Sequence, residues 1–405
     1  MNFDVVIIGA GPAGLSAAIV LARHNVRTLL CEAATLPVDK PCGEGLMPRG
    51  IEHLERLGVP RHELSTLGQP IAGVRYISPD GRAAEARFPD GPAFGIRRPL
   101  LMSALLARAE RLRMLTLAQH TPVRLVQRGL RLGVNINDWI IEPRLIIGAD
   151  GVNSIIRKEA DIPYRVVPPL RFGRRRHYRV DKAPELVEVH WAEGCEAYVT
   201  PTAENQVHIA FLWDREPCRI DPEPCRDPRF LQRFPKLARE LAQGEPDTLP
   251  RASGPMHHEV LVPACDGLLL MGDAAGYVDA VTGDGVALAL EQALLLEQYV
   301  VPRLRSLNEG QILSLRALGR YLGAMDQARS HNRLLTRWLL QIKRRPELLE
   351  RVIGSLANDP KLFQFFLGSA EGKISPLRAP LASAAKLLLG LARPRAGYGA
   401  SARHP

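Results

Sequence analysis

The sequence predicts an α/β protein: a doubly wound parallel sheet, interrupted by inserted antiparallel β-sheet and followed by a C-terminal helical region. Three observations carry that expectation. The first 32 residues read as strand, glycine turn, helix, strand. Two later stretches, at Val74 to Phe88 and from about Val166 to His258, change to short alternating runs with Pro-rich joins. Everything after Pro302 has helical character, with breaks near Pro346, Pro360 and Pro376.

The elements follow in order. Phe3 to Ile8 is apolar and β-branched, the pattern of a buried parallel strand. Ala13 to His24 places Leu15, Ala18, Ile19 and Ala22 on one helical face, and Val26 to Cys31 is the second strand. Pro79-Asp80-Gly81 marks a hairpin. Leu100 to Leu112 is a helix with Leu101, Leu105 and Ala109 in phase, and Leu145-Ile146-Ile147 is a further buried strand. Val187 to Trp191, Ala197 to Val199 and Val207 to Trp213 form the larger insert. In it His190 and Trp191 alternate, so one of the two is expected to face the core. Leu268 to Met271 returns to the parallel sheet, and a long helix opens near Asp284.

At 405 residues the chain suits two or three folding units. Its 46 % hydrophobic and 24 % charged residues exclude a disordered or collagenous chain. No run approaches the roughly 18–20 apolar residues of a membrane span. The nearest, Ala379 to Ala392, is broken by Pro380 and Lys386. Asp4 leads directly into the first strand, so no signal peptide is expected. The six cysteines form no CxxC pair and no metal-ligand spacing, so free thiols, no metal site and a cytoplasmic setting are expected.

The net charge is +10. Arg303 to Arg351 holds eleven Lys and Arg against four Asp and Glu, and Arg171, Arg174, Arg175, Arg176 and Arg179 form a second cluster. Both are read first as solvated faces. An acidic partner protein or an anionic membrane surface, touched peripherally, is the functional alternative. Aromatics do not interleave with these residues, which argues against nucleic acid.

Gly9-Ala10-Gly11-Pro12-Ala13-Gly14 is a GxGxxG turn with a strand before it and a helix after it. Gly9 permits the tight turn, Gly11 lets backbone approach a pyrophosphate, and Gly14 lets helix pack on strand. The helix N-terminus supplies amide donors. Glu32 ends the second strand, where a carboxylate can accept ribose hydroxyls. Gly272-Asp273-Ala274-Ala275-Gly276 follows a strand, and Thr282-Gly283-Asp284-Gly285 opens a helix. An Asp at a strand end can accept from a ribityl hydroxyl, and a glycine-opened helix can face a flavin edge. A third element, Gly148-Ala149-Asp150-Gly151, has Arg157 behind it.

These three elements together resemble the para-hydroxybenzoate hydroxylase-like superfamily of FAD-dependent oxidoreductases and monooxygenases. Within it, Lys40-Pro41-Cys42-Gly43-Glu44-Gly45 is similar to the signature of the geranylgeranyl reductase branch. The resemblance implies a Rossmann-like FAD-binding domain from residues 1–67, 97–165 and 257–300. It leaves a substrate domain at 68–96 and 166–256, and helices at 301–405. It further implies that Ala13, Cys42, Gly43, Gly45, Arg98, Val123, Asp273, Gly285 and Val286 meet FAD beside Gly9, Gly11, Pro12, Gly14 and Glu32. No catalytic residue is assigned; Tyr198, Asp279, His190, His257 and His258 are cavity candidates.

The expected activity is that of an NAD(P)H-dependent monooxygenase, hydroxylating an aromatic or polyketide-like metabolite through a C4a-hydroperoxyflavin. The segment Glu196 to Pro201 lacks the aromatic pair of the isoprenoid-reducing relatives, which favours oxygen insertion. The alternatives are a reductase of isoprenoid double bonds and a flavoprotein acting on a partner protein.

Overall fold

The computed structural model describes residues 3–129, 131–218, 228–372 and 374. Its first sheet runs in the order Ala264–Cys265, Leu268–Leu270, Leu145–Gly148, Val5–Ile8, Thr28–Cys31, Leu115–Ala118. All pairings are parallel except the edge pair Ala264–Cys265 with Leu268–Leu270. The strands Val5–Ile8, Thr28–Cys31 and Leu145–Gly148 are buried at every position. Continuous apolar runs are what a sheet covered on both faces demands. The helix Pro12–Arg23 starts on a proline and shares its core with the helix Gly285–Tyr299 through Leu15, Ile19, Leu290 and Ala293.

A second sheet runs Glu245–Pro246, Arg171–Arg179, Gln206–Asp214, Cys195–Ala203, Leu186–Ala192, Gly73–Ile77, Ala83–Arg87. It draws strands from both inserted stretches. Their junction, Leu186–Ala192 against Gly73–Ile77, is parallel, so the insert is not wholly antiparallel as expected. The two strands come from separate inserts, and no hairpin forces them to oppose each other.

Val187, Val189 and Trp191 of this sheet pack under Leu349, Ile353 and Phe363. These belong to the helices Pro346–Asn358 and Pro360–Ala370, which follow the long helix Leu315–Lys343. The breaks fall at Pro346 and Pro360, each in the first helical turn, where a missing amide costs nothing. Among the described residues no helix is long and apolar enough to cross a membrane. The stretch Ala379 to Ala392 and the break near Pro376 lie outside the described residues, as does Cys225. Cys31, Cys42, Cys195 and Cys265 are free thiols.

Two expectations need correction. His190 and Trp191 are both buried, because both faces of the sheet are covered at this point. Trp191 lies under the C-terminal helices, and His190 Nε2 sits 3.1 Å from Glu188 Oε2. The arginine cluster is only in part a solvated face: Arg179 is exposed and Arg174 and Arg176 are half-buried. Arg171 and Arg175 alternate inwards along the strand and are buried, each held by carboxylates.

Candidate functional site

The glycine turn is built as its spacing requires. Gly9 has φ +99°, a region that side chains with a Cβ avoid. A Cβ on Gly14 would stand 1.8 Å from the Gly9 carbonyl oxygen, so helix and strand meet only with glycine there. Glu32 is buried. Its Oε2 accepts from the Ala10 N–H at 2.8 Å and its Oε1 from Ala34 N–H at 3.1 Å. The carboxylate thus braces the turn, and each oxygen keeps a further lone pair.

The Cys42–Gly45 stretch is braced by a residue that the sequence reading passed over. Glu44 has φ +59° and turns its carboxylate fully inwards. Oε1 accepts from the Arg98 N–H at 3.0 Å, which caps the helix Arg98–Ala109. Oε2 lies 2.6 Å from His177 Nε2 of the second sheet. Burial alone would raise this carboxyl. The His177 hydrogen bond, the nearby His208 and the Arg98 amide outweigh it and hold the group at about 2. Glu44 therefore ties the Cys42 loop, the start of the Arg98 helix and the second sheet together.

The third wall is the segment Gly272 to Val286. Arg329 of the long helix donates to the Ala275 and Gly272 carbonyls at 3.0 and 3.1 Å. Arg157 donates to the Ala274 carbonyl at 2.9 Å. Asp273 is surrounded by protein yet exposed to the cavity. Burial raises its pKa, opposed by Arg98, Arg329 and Lys40.

The three walls enclose one cavity of about 460 Å³. Ten residues of the anticipated set line it: Gly11, Pro12, Ala13, Cys42, Gly43, Gly45, Arg98, Asp273, Gly285 and Val286. Gly9, Gly14, Glu32 and Val123 do not line it: the two glycines and Glu32 build the turn, and Val123 packs in the core. Tyr198 also lines it, with its hydroxyl donating to the Val281 carbonyl at 2.9 Å. His258 lines a separate crevice, and His257 sits beside Glu259.

Beyond the glycine walls the cavity becomes apolar. Val189, Trp191, Leu349, Ile353 and Phe363 line this part, between the second sheet and the C-terminal helices. A buried charge cluster locks those helices in place. Arg171 Nε donates to Asp279 at 2.6 Å, Nη1 to Asp214 at 2.5 Å, and Nη2 to Glu196. Lys343, at the end of the long helix, donates to Glu196 at 2.7 Å and Asp214 at 3.2 Å. Asp279 thus serves structure here. Three carboxyls face two cations, and burial raises Glu196 to about 8.

The residues fit FAD on direct grounds. Gly43, Gly283 and Gly285 border the cavity with nothing within 4 Å of a would-be Cβ, so each keeps a cradle clear that side chains would fill. Asp273 presents an acceptor into the same space, and the first turn of the helix Pro12–Arg23 points its free amides there. Glu188, His190 and Glu240 come near enough to share a cation, but Arg75, 2.6 Å from Glu188, and Lys236, 3.2 Å from it, already supply the positive charge.

A glycine turn, a carboxylate-braced second strand and a glycine-opened helix around one cavity define an FAD-dependent oxidoreductase. The chain belongs to the FAD binding domain family, whose model matches residues 2–305. It is 27 % identical over 314 residues to digeranylgeranylglycerophospholipid reductase 2 of Methanopyrus kandleri, covering 72 % of this chain and 74 % of that protein. It is likewise 27 % identical over 344 residues to menaquinone reductase of Mycobacterium tuberculosis, covering 74 % and 77 %. A flavin-dependent brominase shares the fold with a TM-score of 0.79 at 15 % identity, covering 96 % of this chain and 98 % of that one. A geranylgeranyl bacteriochlorophyll reductase-like protein from Thermoplasma acidophilum does so with a TM-score of 0.74 at 17 % identity, covering 96 % of each.

Proposed function

We propose that this enzyme reduces carbon–carbon double bonds in the long apolar chain of an isoprenoid substrate. The carrying observation is the apolar compartment between the second sheet and the C-terminal helices, continuous with the glycine cradle. Its walls of Val, Leu, Ile, Phe and Trp offer burial to a hydrocarbon chain and few polar partners to a hydroxylated metabolite. The name of the Methanopyrus relative, a digeranylgeranylglycerophospholipid reductase, points the same way.

FAD, when bound and reduced, would supply the hydride, with NAD(P)H as the proposed reductant. The residues of the chain do the rest. Gly11 to Ala13, Glu32 and Asp273 would hold the cofactor, with Cys42 to Gly45 and Gly283 to Val286 lining the cavity beside it. The apolar walls exclude water and align the chain. Glu44 fixes the Cys42 loop against the Arg98 helix. The hydrocarbon would reach the site from a membrane surface, against which the protein docks peripherally.

The test is the product. Incubation of the FAD-loaded enzyme with reductant and a polyprenyl substrate should add two hydrogen atoms per double bond. Gain of an oxygen atom would instead establish the hydroxylation expected from the sequence.

A further inference from the structure

Asp284 stands at the N-cap position of the helix Gly285–Tyr299, yet its side chain caps nothing. An N-cap Asp ordinarily accepts from amides of the first turn. This one turns inwards instead. It is 8 % exposed, and it lines the cavity between Gly283 and Gly285, where the cofactor cradle meets the apolar compartment.

Its setting is specific. Oδ2 accepts from Asn332 Nδ2 at 2.8 Å, and the same amide nitrogen donates to Thr282 Oγ1 at 2.9 Å. The buried Thr336 hydroxyl donates to Asn332 Oδ1 at 3.3 Å, which orients the amide with its NH2 towards Asp284. No cation pairs with Asp284 among the described residues. Arg49, the nearest, is taken by Glu291 at 2.5 Å. The other ionisable neighbours are Glu371, after the helix Pro360–Ala370, and Tyr76 of the second sheet. Burial first, then Glu371, raise Asp284 to about 7, against the Asn332 hydrogen bond and Arg49. The site therefore keeps a large share of this carboxyl protonated near neutral pH, where an ordinary aspartate is fully ionised.

Three neighbouring groups are committed, and the free thiol of Cys42, which lines the same cavity, is the rival that the variants below discriminate. Glu44 is kept ionised by His177. The Tyr198 hydroxyl is spent on Val281, and burial pushes Tyr76 to about 12.

Building on the proposed double-bond reduction, we infer that Asp284 is its proton donor. The π bond breaks and two C–H bonds form. One carbon takes the hydride, with both electrons, from the reduced cofactor. The other takes the carboxyl proton of Asp284. The cofactor returns oxidised, and the Asp284 carboxylate regains a proton from solvent before the next turnover.

Two measurements on the FAD-loaded protein test this. The infrared difference spectrum, wild type minus Asp284→Asn, should show a protonated-carboxyl band that fades as pH rises through about 7, the Glu196 carboxyl being common to both proteins and cancelling. In anaerobic single turnover with a polyprenyl substrate in D2O, the wild type should place solvent deuterium at the protonated carbon of each reduced bond. Asp284→Asn should retain its FAD and slow that step about 10²–10⁴-fold, the span of general-acid assistance. Asp284→Glu should recover part of the rate, and Glu371→Gln should keep most of it. A difference spectrum without that band, or an unchanged rate in Asp284→Asn, overturns the assignment while leaving the reduction standing. Oxygen insertion or an untouched double bond in the wild type overturns the reduction itself, and Asp284's role with it.

Discussion

At Gly14 a single methyl group has nowhere to go, since a Cβ would meet the Gly9 carbonyl oxygen at 1.8 Å. Gly14→Ala should cost about 1–3 kcal/mol or more through overpacking and backbone shift. Chemical denaturation would measure it. Asp273 is different: it faces the cavity and packs against little, so its removal costs the cofactor rather than the fold. Asp273→Ala should purify with much less FAD at near-normal stability, and Glu32→Ala with a smaller loss of cofactor, both read by absorbance. Gly14, Asp273 and Glu32 were legible in the sequence, because each is dictated by local backbone geometry next to a strand end. Glu44 lay in plain view within Cys42-Gly43-Glu44-Gly45, but its task depends on His177, 133 residues away. No local pattern announces such a pairing.

At the scale of elements, the buried cluster of Arg171, Asp214, Glu196, Asp279 and Lys343 joins the second sheet, the segment after Gly272 and the long helix. Removing Lys343 leaves three buried carboxyls facing Arg171 alone. Lys343→Met should therefore cost about 3–5 kcal/mol. Glu196 gives the cluster a pH dependence. Its folded pKa of about 8 lies above the ordinary 4.5, so the folded state binds its proton more tightly than the unfolded state. That contribution is complete below the unfolded value and is lost as pH rises through the folded one. Denaturant midpoints should fall between about pH 5 and pH 9, and Glu196→Gln should flatten the slope. The strands and helices themselves were readable from periodicity and from Pro346 and Pro360. The inward turn of Arg171 and Arg175 was not. A run of arginines on an alternating strand looks solvated until the carboxylates that meet every second one are in place.

At the scale of the whole molecule, the substrate compartment arises where two distant parts of the chain close on each other. The sequence reading sought an isoprenoid tunnel in Glu196 to Pro201 and found no aromatic pair there. The structure lines the compartment mainly with Trp191 and with Leu349, Ile353 and Phe363 of the C-terminal helices. Those residues look like ordinary helix core, and only their docking on the sheet turns them into a wall. The direct test of the central claim is mass spectrometry of the product formed by the reduced, FAD-loaded enzyme from a polyprenyl substrate. Two hydrogen atoms gained per reduced double bond, with no oxygen incorporated in air, is the predicted result. A product carrying an oxygen atom from O2 would contradict the account.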